Sequence, residues 1–135
     1  MFFCYLSAKD ALGVIPRLRD DLLDIPNIPK YYFDKNDMFW IAVSDDNRVI
    51  GMIGTNTVSE TDIWLKRLFV KPEMKRNGIA GALLSVVEKY AKSKGVLSIH
   101  TRFSNDYIEA SCFYPSKGFI ESESNEGLRH FIKSI

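Results

Sequence analysis

An apolar run, Ile63 to Val70, leads through the basic turn Lys75-Arg76-Asn77-Gly78-Ile79-Ala80 into a stretch whose Ile79, Leu83, Val87 and Ala91 recur every four residues. That spacing predicts an amphipathic helix, with Leu84 and Val86 widening its apolar stripe and Lys92, Lys94 and Gly95 ending it. A strand, a tight basic turn and a helix in this order make an anion site. The first-turn N–H groups have no partner inside the helix and point outward at whatever sits there. Gly78 lets the backbone approach a ligand closely, and Ala80 leaves almost as much room. Lys71, Lys75 and Arg76 add positive charge. A phosphate-bearing ligand over residues 75–80 is the expectation.

The chain around this segment has 135 residues, which predicts one domain over 1–135. Its formal net charge is +1, so the balance does not favour a nucleic-acid binder, and the basic residues between 66 and 76 form a local patch. Two cysteines, Cys4 and Cys112, make no disulfide framework and suit a reducing compartment, so a cytoplasmic location is expected. Met1-Phe2-Phe3 has no basic lead and soon meets Lys9 and Asp10, so no signal peptide is expected. No apolar run approaches the length of a membrane span. Cys4, Cys112, His100 and His130 show no metal-ligand spacing, and Asp45-Asp46-Asn47 matches a calcium loop only in part, so no metal site is expected.

The remaining elements follow from period and punctuation. Residues 2–6 read as a strand, and Ser7 caps a helix carrying Ala11, Ile15, Leu18 and Leu22, in which Pro16 is a conflict. Pro26 and Pro29 open a loop rich in aromatics, Tyr31, Tyr32 and Phe33. Strands are predicted at 38–43 and 49–55, joined by an Asp45-Asp46-Asn47 turn, and a third through Trp64 to Val70 after a turn at Ser59-Glu60-Thr61. A central strand at 96–101, a short helix at 107–114 that Pro115 should end, and strands at 119–123 and 128–133 complete the order β–α–β–β–β–α–β–α–β–β. This is an α/β (α+β) chain with a mixed, mainly antiparallel sheet flanked by helices.

With these elements in order, the sequence resembles the GNAT superfamily of N-acetyltransferases, from about residue 38 to 131. Its acyl-CoA signature places Lys75, Gly78 and Ala80 at the motif positions, within LFVKPEMKRNGIAGALL. Lys75 stands where Arg or Gln is usual. A second motif is met by Ala110, Tyr114, Gly118 and Phe119 in ASCFYPSKGF. Tyr107 stands where an Asn is frequent, and the nearest Asn is Asn105.

The resemblance implies acetyl-CoA as the acyl donor. Leu68, Phe69 and Val70 would run beside its pantetheine arm, the Val70 amide would serve the carbonyl oxygen, and N–H groups from Arg76 through Asn77, Gly78 and Ile79 to Ala80 would hold the pyrophosphate. Lys75 and Asn105 complete the cofactor set. Tyr114 is the expected general acid toward the leaving thiolate, since a phenol with pKa about 10 is protonated at neutral pH; packing against Phe113 and Phe119 is its structural alternative. Trp64 takes the strand position where the family often has Glu, which leaves Glu60 or Asp62 as candidates to receive the amine proton, directly or through water. His100 reads as structural and His130 as a surface residue. Cys112 lacks a neighbouring His or Asp, so direct transfer in a ternary complex is favoured over a covalent route.

The acceptor is open. Tyr31 to Phe33 with Asp34, and Glu60 with Asp62, can frame a pocket for a cationic amine. A small-molecule amine or polyamine is favoured slightly over a protein lysine or N-terminus. A non-catalytic acyl-CoA-binding sensor or subunit is the alternative from another class. The oligomeric state, monomer or homodimer, is open, with the final strand a candidate dimer edge.

Overall fold

A computed structural model describes residues 37–75, 77–124 and 127–135 with side chains, and residues 2–5 by their backbone. The expected first helix and the aromatic loop at Tyr31 to Phe33 lie outside the described residues, as do Asp34 and Arg76. Strand β1 spans Phe2–Tyr5, β2 Phe39–Val43, β3 Val49–Thr57 and β4 Asp62–Val70. A 3-10 turn at Pro72–Met74 leads to helix α1, Ile79–Ser93. Then come β5 at Ser98–Ser104, α2 at Ile108–Ser116, β6 at Ile120–Glu121 and β7 at Leu128–Ser134.

The seven strands form one sheet in the order β1-β2-β3-β4-β5-β7-β6. Every neighbouring pair is antiparallel except β4 with β5, which run parallel and are bridged by the crossover through α1. The mixed, mainly antiparallel sheet flanked by helices is therefore present, and β5 is central. The final strand is not an edge: β7 lies between β5 and β6, which cancels the candidate dimer edge.

Alternation along the strands sorts side chains to two faces. Ile63 and Leu65 of β4, Ile99 and Phe103 of β5 and Phe131 of β7 share one buried cluster with Leu83, Leu84 and Val87 of α1 and Tyr114 of α2. Trp64, His100, Arg102 and His130 alternate with those residues and so stand on the opposite face. A buried carboxylate pins the start of β2 to β3. Asp37 accepts hydrogen bonds from the Thr57 N–H at 2.7 Å and the Thr57 hydroxyl at 2.6 Å, and from the Thr55 hydroxyl at 3.2 Å.

Three boundaries differ from expectation. The central strand begins at Ser98 rather than 96, because Val96 turns into the core while Leu97 is exposed. Helix α2 continues through Pro115 to Ser116. Proline there costs one hydrogen bond, its own absent donor, in a last turn closed by Lys117 and Phe119 N–H groups on the Tyr114 carbonyl. The strand expected at 119–123 is two residues long, since Phe119 is buried in the core before pairing begins.

Helix α1 sits close over β3. A Cβ built on Gly51 would lie 3.0 Å from Ile79 Cγ2, 3.1 Å from the Phe69 carbonyl oxygen and 3.2 Å from Leu83 Cδ1. Gly51→Ala should therefore push the helix start off the sheet and cost about 1–3 kcal/mol, the usual range for overpacking. Urea denaturation checks this, and an unchanged midpoint would show that the helix yields freely.

Candidate active site

The feature that opens the sheet is a backbone irregularity in β4. Gly51 and Met52 pair with Val70 and Phe69, but Gly54 and Thr55 pair with Lys66 and Leu65, so Arg67 and Leu68 together face Ile53. This is a β-bulge, and Arg67 carries it with φ 56°, a left-handed conformation that L side chains rarely adopt. Bulges bend the strand that holds them. Accordingly β4 and β5 are paired only at Asp62–Ser98, Ile63–Ile99 and Trp64–His100, although β4 continues to Val70 and β5 to Ser104. Beyond that vertex the two strands splay.

From Leu65 to Val70, β4 forms no ladder with β5. The Lys71 N–H donates to the Ile50 carbonyl at 2.9 Å, on the β3 side. Neighbouring extended amides point oppositely, so the Val70 N–H is directed into the gap. Val70 itself is buried, Leu68 is half-buried and Phe69 is 49% exposed. Side chains in the core and main chain in the gap are thus compatible at Leu68 and Val70.

At the far end of β4 the chain reaches the start of α1. Gly78 is its N-cap with φ 76°, and a Cβ built there meets no atom within 4 Å. The N–H groups of Asn77, Gly78 and Ile79 have no acceptor among the described residues, while the Asn77 side chain donates to the Met74 carbonyl at 3.0 Å. Ala80 is half-buried on the next turn. Lys75 reaches across to Glu109 of α2 at 3.0 Å. Asn105 is exposed just beyond β5, its N–H bonded to the Gly127 carbonyl at 2.8 Å. These parts, expected from sequence to act together, flank the opening between β4 and β5.

Tyr114 is 5% exposed, with its ring 5.5 Å from Phe103 and 5.1 Å from Phe119. Its hydroxyl bonds to Thr101, the first β5 residue past the vertex. Burial raises its pKa above the ordinary phenol value, so it is a protonated donor at neutral pH. Cys112 is exposed and free.

The opposite face of the vertex carries a cluster that the sequence did not announce. Asp62 Oδ1 lies 2.7 Å from His100 Nε2, and His100 Nδ1 lies 3.0 Å from His130 Nε2. Trp64 stacks on both rings at 4.9 Å, and the Arg102 guanidinium sits 4.9 Å from the Trp64 ring. His130 is thus half-buried and engaged, which corrects its reading as a surface residue. Asp62 Oδ2 accepts from the Thr61 hydroxyl at 2.7 Å and the Ser59 hydroxyl at 3.1 Å. The Thr61 and His100 hydrogen bonds hold the Asp62 carboxyl below the usual carboxylate range. Glu60 is exposed on the preceding turn and has no partner among the described residues. Beside the cluster, Arg102, Ser122, Glu123, Leu128 and His130 line a cavity of about 400 Å³. The described residues contain no group of His, Cys, Asp or Glu arranged to hold a metal. Among them no helix is long and apolar enough to cross a membrane.

Residues 8–112 match the model of the Acetyltransferase (GNAT) family. The human protein N-acetyltransferase 8 is 32% identical over 102 residues, which cover 71% of this chain and 44% of that protein. The chain spans about half the length of the curated relatives it matches. In fold it is similar to an acetyltransferase of the GNAT family from Staphylococcus aureus, with TM-score 0.85 and 21% identity over 98% of each chain. It is also similar to PaiA N-acetyltransferase from Thermoplasma acidophilum in complex with coenzyme A, with TM-score 0.79 and 20% identity over 99% of this chain and 98% of that one.

Thr101→Val should leave the buried Tyr114 hydroxyl without its partner and cost about 1–3 kcal/mol. Chemical denaturation measures it. Unaltered stability would mean that the hydroxyl finds solvent in the splay instead.

Proposed function

In a chain that belongs to the acetyltransferase (GNAT) family, we propose that the splay between β4 and β5 binds acetyl-CoA and that its acetyl group passes directly to a primary amine in a ternary complex. The observation that carries this reading is a gap between two strands that ends at a helix start whose first N–H groups have no acceptor among the described residues. Its fit to the donor is chemical. An extended amide-bearing arm can complete the ladder that β4 and β5 leave open, and a pyrophosphate suits the first turn of α1. A solved relative in fold holds coenzyme A.

Bound acetyl-CoA supplies an acyl group activated as a thioester. The chain's residues do the rest. The main chain of Leu68, Phe69 and Val70 lies along the arm, and the Val70 N–H donates to the carbonyl oxygen as negative charge gathers there. Backbone amides from Asn77 through Gly78 and Ile79 to Ala80, with the charges of Lys75 and Arg76, hold the pyrophosphate. Lys75 exchanges its exposed Glu109 partner for phosphate at little cost, because ion pairs at the surface contribute little. Asn105 closes the β5 side. The Tyr114 hydroxyl protonates or hydrogen-bonds the leaving thiolate.

The acceptor in this reading is a small-molecule amine or polyamine. The cavity of about 400 Å³, walled by Glu123 and Arg102 of opposite charge, has the size for a compact amine rather than a folded protein surface. Of the two carboxylates singled out in the sequence, Glu60 has no partner among the described residues and can attract the cation, whereas both oxygens of Asp62 are already bonded.

A Cβ at Gly78 meets no described atom within 4 Å, while φ 76° strains any side chain placed there, so the test is read against Gly78→Ala, which carries the same backbone strain without the bulk. Gly78→Val should weaken acetyl-CoA binding at least about tenfold, or ~1.4 kcal/mol, in titration calorimetry. Unchanged affinity in the folded variant would remove the site.

Tyr114→Phe keeps the ring and its packing. It should lower kcat about 10²-fold or more with little change in acetyl-CoA affinity, as expected for loss of a positioned acid. Thiol release with an amine panel measures both this and the main reading. Full kcat in the variant would make Tyr114 a packing residue. Binding without amine-dependent thiol release by the wild-type protein would leave an acyl-CoA sensor.

A further inference from the structure

We propose that His130 receives the proton that the acceptor amine loses, with His100 and Asp62 as positioning residues that fix its tautomer; this rests on the acetyl-transfer reading above. The argument is one of donors and acceptors along a chain of known contacts. Asp62, ionised at neutral pH, can only accept, so His100 must carry its proton on Nε2, 2.7 Å away. In its neutral form His100 then presents a bare Nδ1. His130 Nε2, 3.0 Å from it, must be the donor, which leaves His130 Nδ1 with the free lone pair. The network thus orients one basic nitrogen on a residue that lines the cavity of about 400 Å³.

The surroundings keep that nitrogen able to accept. Burial, with the Arg102 guanidinium adding to it, holds the His130 pKa below its usual value, so it is neutral at pH 7. Among the described residues the charged or titratable groups beside it are His100 and Arg102 of β5, Asp62 of β4 behind His100, and Glu123 across the cavity. Trp64, stacked on both imidazoles, has no basic atom and fixes their planes. In the step itself an ammonium N–H bond breaks and its electron pair stays on nitrogen, which becomes the nucleophile. The proton bonds to His130 Nδ1. The imidazolium formed keeps its Nε2–H on His100, and Asp62 balances the charge. Water takes the proton afterward.

Two measurements on the full chain test this. In the first, ¹⁵N imidazole spectra of the protein alone, from pH 5 to 9, should show both histidines protonated on Nε2 at pH 7 and His130 titrating below 6.5. His130 charged at pH 7, or bare at Nε2, overturns the proposal whatever the enzyme's activity. The second follows thiol release from acetyl-CoA with the best amine of a panel that includes spermidine and lysine methyl ester. His130→Gln should lower kcat/KM for the amine about 10²-fold at pH 7, abolish the acid limb of its pH profile and lose less at pH 9. Asp62→Asn should shift that limb rather than remove it, a change that a purely structural role would not produce. Transfer by the wild-type protein with an unaltered profile in His130→Gln overturns this proposal alone. No transfer to any amine by the wild-type protein overturns the transferase reading and this proposal with it.

Discussion

The left-handed backbone of Arg67 is the constraint on which the rest of the site depends. A bulge bends the strand that carries it, and this one lies in β4 just past the last pair with β5. With it, pairing stops after Trp64 and His100, and the chain carries two open ladder edges facing each other. A non-glycine residue at positive φ costs of order 1–3 kcal/mol. Pairing of β4 with β3 on both sides of the bulge holds it there.

The parts that flank the gap were legible in the sequence where local pattern and local chemistry coincide. Helix α1 combines a four-residue repeat with a glycine before its first turn and basic residues near its last, so local signals mark its end within two residues of Ser93. The antiparallel run β2 to β4 was read through its turns at Asp45 to Asn47 and Ser59 to Thr61. Boundaries failed where the apolar signal and the pairing partner disagree. Leu97 extends the apolar run but faces solvent, and Phe119 extends another but buries itself before its strand starts. Pro115 misled because a proline in a last turn removes little.

The cluster on the other face was illegible for a different reason. His100 meets Asp62 across 38 residues and His130 across 30. The contact exists because β4 and β5 are parallel at Asp62 to Trp64 and β7 returns antiparallel beside β5, and no spacing in the chain encodes that. The signal available was weaker: His100, Arg102 and His130 are polar residues that alternate with buried ones on central strands. Trp64 stands where the family often places a carboxylate. Its role in the fold is to stack on two imidazoles.

The short parallel ladder divides the sheet in another sense. β1 to β4 form one antiparallel meander, and β5, β7 and β6 form a second, each closed by its own hydrogen bonds. Three residue pairs and the core beneath α1 join them. Cooperative units of native opening tend to follow such seams. The two meanders can therefore differ in amide protection, with exchange at Asp62 to Trp64 reporting the energy that couples them. A ligand laid between the strands would then act as a rivet, raising protection in both halves together while touching little of either.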